Sequence, residues 1–518
     1  MDNSINWEEI VSKKDAKIAE LEALVKYYEE LFRLSKSSRF SPKSEKKGPF
    51  QYTVFGDEED ASSEEEPEPA METITYTRRK KRKGKRKDDL SRLPVEVVEH
   101  RLPEGSACPE CDNPMHAMGR ETRRELVIVP AQVKVVEHVC FVYSCRRCEK
   151  DGEAVPILKA GMPAPLIKGS LASPSAVAYI MYQKYVMCAP LYRLEKDWER
   201  QDVSLSRQTM CNWVIRCAEE RLARLCGRLR GLLLESRVLH ADESEMQVLH
   251  EPGKPATSKS YMWLYRTSGD TERHIVYYEY QPSRSGDHPK QFLDGFTGYV
   301  HVDGFPGYHK LTGVMTLVCC WVHCRRKFTD CLKSIPKEER PGSIAQQALR
   351  RIGKLFHMES LWAGLSPEER HARRLEKSKP KADAFFSWLA SLNVLPKSAT
   401  GRAINYALTQ REWLMNVYLD GRTEFSNNRI ENSVRPYALG RKNYLFSNSV
   451  RGAKASAIIY TVIETAKANG LRPFEYLQFL LGVEPATMAG DIDSLLPWGG
   501  AVPESCAMPK PMPSERSA

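Results

Sequence analysis

The period of the apolar positions changes several times along this chain, and the changes divide it. In residues 8–34, Val11, Ile18, Leu21, Val25, Tyr28 and Phe32 recur at steps of three and four, with Lys14 interrupting the seam and charges on the other faces. This predicts a helix within residues 1–36. It is either a short self-associating coiled coil or an amphipathic helix packed on its own protein. Residues 37–92 lose all periodicity: an acidic block at 57–68 containing Pro67 is followed by a basic run at 78–87, and such blocks stay solvated. In 93–160, two Val- and Ile-rich runs, 125–129 and 132–143, flank Pro130-Ala131 and predict a β-hairpin. Residues 161–235 return to a helical period. Ser173-Pro174 opens one helix with proline in its first turn. Residues 205–214 resemble the second half of a helix-turn-helix capped by Ser206, with Met210, Trp213 and Val214 facing in and Arg207, Gln208 and Asn212 facing out. A pair of helices that merely pack would look the same.

From Val238 the period becomes that of strands. Residues 238–242, 260–266 and 274–280 are rich in Val, Ile, Tyr and Trp, with Gly253 and Gly269 at the turns. A short amphipathic helix at 289–296, a fourth strand at 299–303 and a fifth apolar run at 315–322 follow, the last running into a basic helix at His323. Residues 338–420 read as a charged helical insertion. Beyond it lies a helix capped by Ser426 or Asn427, with Ile430 and Val434 spaced to face a sheet. The order, three strands, helix, strand, strand then helix, predicts a ribonuclease-H-like domain over 236–480. A terminal element and tail occupy 481–518. The expected whole is a multidomain α+β protein: coiled coil, zinc-binding hairpin module, helical DNA-binding region and catalytic domain with helical insertion.

Composition narrows the partners. The 518-residue chain carries a net charge of +10, with 42% hydrophobic residues, so it has a real core and an acidic partner, of which nucleic acid is the commonest. No apolar run approaches the length of a membrane span, and the polar N-terminus is unlike a secretory signal. Most of the 14 cysteines lack framework spacing, which suits a reducing cytoplasm.

Two sets of residues carry candidate chemistry. Val238-Leu239-His240-Ala241-Asp242 and Tyr299-Val300-His301-Val302-Asp303 are apolar runs that each end on an aspartate, and Glu431 sits among the arginines, lysines and amides of residues 427–446. Strand ends in one sheet bring Asp242 and Asp303 side by side, and a helix packed on that sheet brings the third acid. Carboxylates so placed hold two divalent cations, Mg²⁺ or Mn²⁺, about 3.5–4 Å apart, the arrangement that cuts and joins phosphodiesters. Arg325, Arg326, Arg435, Arg441 and Lys442 supply positive charge for the polyanion. The second set is Cys108-Pro109-Glu110-Cys111 and Cys145-Arg146-Arg147-Cys148, about 33 residues apart. A hairpin between them brings four thiolates to one structural Zn²⁺ with no open position. Arg78, Arg79, Lys80, Lys81, Arg82, Lys83, Lys85, Arg86 and Lys87 read as a nucleic-acid arm, or else as a solubilising linker.

At these residues the chain resembles the large transposase subunit of the insertion-sequence-66 family, a bacterial DDE transposase. The likeness runs through the coiled-coil start, Ser44-Glu45-Lys46, the cysteine pairs, Ala241-Asp242-Glu243, Val302-Asp303-Gly304-Phe305-Pro306-Gly307-Tyr308, His323-Cys324-Arg325-Arg326-Lys327-Phe328, residues 427–446 and Leu495-Leu496-Pro497-Trp498. Ser426 stands where the family usually has Asp, and Ser244 where it usually has Thr. The resemblance implies that Asp242, Asp303 and Glu431 form a catalytic triad, and that Cys108, Cys111, Cys145 and Cys148 hold zinc. It further implies an enzyme that binds the terminal repeats of an insertion sequence, cleaves there and joins the ends to target DNA, as a homo-oligomer with small accessory proteins. Two other readings share these residues: a catalytically silent DNA-binding protein, and a plain metal-dependent nuclease that needs neither coiled coil nor zinc module.

Overall fold

The computed structural model describes residues 133–144, 157–313 and 315–509, together with Lys14, Ile18 and Val25, each helical. The rest of the expected coiled coil, the basic arm at 78–87 and all four zinc-ligand cysteines lie outside the described residues. The chain divides into two units, residues 44–162 and the remainder.

In the smaller unit, β1 (Val142–Ser144) pairs antiparallel with β2 (Ile157–Lys159). Among the described residues, the second half of the expected hairpin is a strand only at its end and pairs with a strand that follows Cys145 and Cys148; its first half, 125–129, lies outside the described residues. These cysteines lie in the connection between the two strands.

The larger unit is built on a mixed sheet. Its strands are β3 (Val238–His250), β4 (Lys259–Thr267), β5 (Val276–Gln281), β6 (Tyr299–Val302) and β7 (Thr316–Cys319), in the spatial order β5-β4-β3-β6-β7. The first three run antiparallel, whereas β3, β6 and β7 are mutually parallel. β3 is much longer than its apolar start suggested, because its second half alternates buried and exposed residues and pairs along β4 to Gln247. Beyond the reach of β6, a short strand β8 (Ser447–Ser449) pairs with Val248 and His250.

Helices cover the sheet. α1 (Pro174–Tyr185), α2 (Leu191–Glu199), α3 (Arg207–Cys217) and α4 (Ala223–Leu234) precede it, and Ser173 and Ser206 cap α1 and α3 through their side-chain oxygens as their positions predict. A short helix α5 (Asp287–Phe292) joins β5 to β6, and α6 (Trp321–Ser334) leaves β7 after one residue. The insertion is helical as expected: α7 (Ile344–Leu361), α8 (Pro367–Arg373), α9 (Lys379–Ala390), α10 (Ala399–Thr409) and α11 (Arg411–Met415). The chain returns through α12 (Asn428–Tyr444), β8 and α13 (Val450–Ala468), then α14 (Pro473–Gly482) and α15 (Pro485–Gly490).

One apolar core joins α1, α3 and α4 to the sheet, α13 and α14. β5 is an edge strand, and the outward N–H groups of Val276 and Tyr278 donate to the hydroxyls of Thr465 and Thr461 at 3.1 and 2.9 Å. The i, i+4 threonines of α13 thus satisfy an edge that would otherwise invite another strand. A second core packs α6 against the insertion around Trp321, Phe328, Phe385 and Phe386. Within it Arg374 is buried. Its guanidinium pairs with Glu359 at 2.7 and 2.9 Å and donates to the carbonyls of Val417, Asp420 and Thr423. The donors of its rigid fork meet these acceptors, and the Thr423 hydroxyl, only because the insertion folds back on the segment leading to α12.

Candidate active site

The sheet register places the two aspartates. His240 on β3 lies opposite His301 on β6, and Asp242 and Asp303 each stand two residues further along neighbouring parallel strands. Val302 lies opposite Cys319 on β7, so Cys320 is the next position past the end of the third parallel strand. The parallel strands β6 and β7 therefore end together beside Asp242 of β3, and open sheets place their ligands where parallel strands end. The Asp242 Oδ1 accepts from the Glu243 N–H at 2.8 Å, and the Asp303 Oδ1 from the Phe305 N–H at 2.9 Å. A Cβ on Gly286 would collide with the backbone carbonyl of Gly307, so glycine there lets the start of α5 press on the loop after Asp303.

Glu431 arrives on α12, whose start is fixed by an unusual use of the residue before it. Asn427 is the residue before the helix, as expected, yet its side chain makes no cap. Instead its Nδ2 donates to the Ala241 carbonyl at 3.1 Å, its Oδ1 meets the His240 Nδ1 at 2.8 Å, and its backbone N–H donates to the Cys320 Sγ at 3.1 Å. The side-chain amide that could have capped the helix instead ties its start to β3 at His240 and Ala241, next to Asp242. Ile430 is buried and Val434 packs against the core, on the face predicted for them. Further along α12, Arg441 donates to the Glu245 carbonyl, and β8 then joins β3.

Burial, and the negative charges of Glu243 and Asp303 with a smaller effect of Glu431, push the Asp242 carboxyl well above its ordinary range. Acids crowded in this way favour a bound cation. The Oε1 of Glu431 is buried with no hydrogen-bond partner among the described residues, and the His323 Nε2 is 3.9 Å from it. A crowded Asp242 carboxyl and an unpartnered carboxylate oxygen on Glu431 are donor chemistry that suits a divalent cation.

Several further residues line the site. Glu243 has a buried side chain, held by Arg284 at 2.5–2.7 Å and by the Tyr308 hydroxyl at 2.7 Å. Burial pushes its carboxyl up. Its partners lie 41 and 65 residues away, so nothing local distinguishes it from a solvated neighbour of Asp242. His240 and His301 stack at 4.4 Å beneath the aspartates, and the Glu424 N–H donates to His301 Nε2 at 3.0 Å. Burial first, and the adjacent His240 second, hold His301 well below its ordinary value. Two histidines at matching places in two aspartate-ended runs were the available clue.

The basic candidates are dispersed. Arg435 and Lys442 are exposed on α12 and Arg325 on α6, while Arg326 is half-buried. Arg441 is half-buried and engaged with β3. On α3, Arg207, Gln208 and Asn212 are exposed on one side while Met210, Trp213 and Val214 are buried.

Residues 169–455 match the model of the transposase IS66 family. The chain belongs to that family. Residues 106–149 match the zinc-finger binding domain of IS66 transposases and include all four predicted cysteine ligands. Residues 461–498 match the IS66 C-terminal element, and 27–98 match a domain described as transposase C of IS166 homeodomain. Among similar proteins are the uncharacterized proteins y4qI and y4jD of Sinorhizobium fredii (strain NBRC 101917 / NGR234). They are 32% and 29% identical over 78% and 76% of this chain, and 75% and 78% of their own length. The Drosophila P element transposase strand transfer complex aligns with 62% of this chain and 96% of that one, at 10% identity and a TM-score of 0.36, too low to bear on fold or function. Among the described residues no helix is long and apolar enough to cross a membrane.

Proposed function

We propose that this IS66-family chain is a DDE transposase that cleaves DNA at the ends of an insertion sequence and transfers the freed strands to a target. The observation that carries the reading is the placement of Asp242 and Asp303 two residues beyond a shared register pair, with Glu431 on a helix tied to the same strand. The strand order β5-β4-β3-β6-β7 supports a ribonuclease-H-like catalytic domain. Asp242, central in the cluster, would hold both divalent cations, with Asp303 on one and Glu431 on the other. When bound, such a pair activates an attacking water or 3′-hydroxyl and stabilises the leaving oxygen. The chain's own part is positional. The Glu243 and Phe305 N–H groups orient the Asp242 and Asp303 carboxylates, and Asn427 fixes the start of the helix that carries Glu431. Arg435 and Lys442 hold phosphates near the site without specifying sequence. Arg207, Gln208 and Asn212 on α3 are the candidate base readers. Cys108, Cys111, Cys145 and Cys148 are the proposed ligands of one structural Zn²⁺.

Asp242→Asn, Asp303→Asn and Glu431→Gln should each abolish Mg²⁺-dependent cleavage of terminal-repeat DNA while leaving DNA binding largely intact, because the amides are nearly isosteric and the carboxylates hold cations. Full cleavage by any one variant removes that residue from the triad. Binding without cleavage by the unsubstituted protein would favour a silent DNA-binding relative.

A further inference from the structure

β7 ends at Cys319, and α6 starts two residues later, so His323 lies in the first turn of a helix that rises from the same sheet edge as Asp242 and Asp303. Glu431 lies in the first turn of α12. Cys320 joins the two helix starts. Its buried Sγ accepts from the Asn427 N–H at 3.1 Å. The donor atoms of Cys320, His323 and Glu431 lie within 4.8 Å of one another. The thiol is buried and already engaged by the Asn427 N–H, so it serves as the anchor between the helices. The imidazole is different. Its Nε2 stands 3.9 Å from the Glu431 Oε1, beyond hydrogen-bond range. One ion about 2.0–2.2 Å from each atom spans that gap. Neither the Glu431 Oε1 nor the His323 Nδ1 has another partner among the described residues.

We propose that the cation held by Glu431 also takes the Nε2 of His323 as a ligand, which makes this half of the site favour Mn²⁺ over Mg²⁺. The inference rests on the two-cation reading of Asp242, Asp303 and Glu431 and specifies one of its positions. The chemical reason is the donor type. Carboxylates and water suit Mg²⁺, whereas an imidazole nitrogen shifts preference toward later and softer divalent ions.

The test is direct binding to the full chain without DNA. Free Mn²⁺ is followed by its aqueous paramagnetic resonance signal, with Mg²⁺ as competitor, for the unsubstituted protein, His323→Gln and Glu431→Gln. The expected result is at least about tenfold weaker Mn²⁺ binding in H323Q, the scale that even supporting residues of metal sites produce, with little change for Mg²⁺. Electron spin-echo modulation from a directly bound ¹⁴N in the unsubstituted protein gives an independent readout that does not depend on a variant folding. Absence of that nitrogen coupling, or an unchanged Mn²⁺ to Mg²⁺ affinity ratio in a folded H323Q, overturns the inference. If E431Q loses one cation while H323Q keeps the ratio, only the histidine ligand fails. If E431Q loses none, the two-cation reading fails with it.

Discussion

At the scale of residues, the least replaceable side chain next to the acids is one that touches no substrate. Asn427 satisfies the Ala241 carbonyl and the buried His240 ring. Asn427→Ala leaves both without a partner, a loss of roughly 2–4 kcal/mol in denaturant unfolding. It also frees the start of α12, so cleavage should fall by more than the loss of folded protein accounts for, with both measured on the same preparation. Glu279 carries a pH dependence. Burial, opposed by Gln281 and Arg230, raises its carboxyl to about 7. In acid both folded and unfolded chains hold the proton and there is no penalty. Between its ordinary value near 4.5 and about 7 the unfolded chain ionises first, so stability declines as pH rises through that window. Glu279→Gln should therefore raise the melting temperature by several degrees at pH 8 and hardly at pH 4. An equal gain at both values would mean that packing, not charge, is responsible. The placement of Asp242 and Asp303 on neighbouring strands, and of Glu431 on a helix packed against them, was legible because two aspartates end apolar runs and the glutamate sits one residue after an inward-facing Ile430. Glu243, Cys320 and His323 were not legible as site residues, because their partners come from other elements.

At the scale of elements, periodicity located the strands and the insertion, and tertiary pairing set their lengths. The apolar start of β3 marks where it is covered on both sides. Its continuation to His250 depends on β4 and β8, which no local pattern reveals. The same limit applied to β1, whose partner lies past the second cysteine pair. Inside the insertion, Arg374 shows how helices that looked merely charged are held. Arg374→Met strands Glu359 and the carbonyls of Val417, Asp420 and Thr423, for a cost of about 3–5 kcal/mol, because breaking a buried pair leaves an uncompensated charge. Circular dichroism during chemical unfolding checks this. Pairing Arg374→Met with Glu359→Met should recover part of the loss, since a buried pair replaced by apolar side chains is often tolerated.

At the scale of the whole molecule, a second set of residues that would carry sequence-independent affinity for DNA lies far along the sequence from Asp242, Asp303 and Glu431. Residues 78–87 hold nine positive charges in ten positions. Replacing those Lys and Arg by Gln should weaken binding to terminal-repeat and scrambled duplexes alike and flatten the dependence of log affinity on log salt. At about −0.9 per neutralised phosphate, engagement of roughly four to six charges flattens the slope by several units. An unchanged slope would make the run a solvated linker, and a loss confined to terminal-repeat DNA would make it a reader of bases. A last consequence follows from the three ties between α12 and β3, at Asn427, at Arg441 and through β8. A helix fastened at its start, near its end and by the strand that follows cannot drift from the strand beneath it by local fraying. The amide hydrogens of β3 should exchange with solvent only when the whole sheet opens. The spacing of Asp242 and Glu431 is thus set once, when the chain folds. Chelation followed by replenishment of cations should restore the same site without any refolding delay.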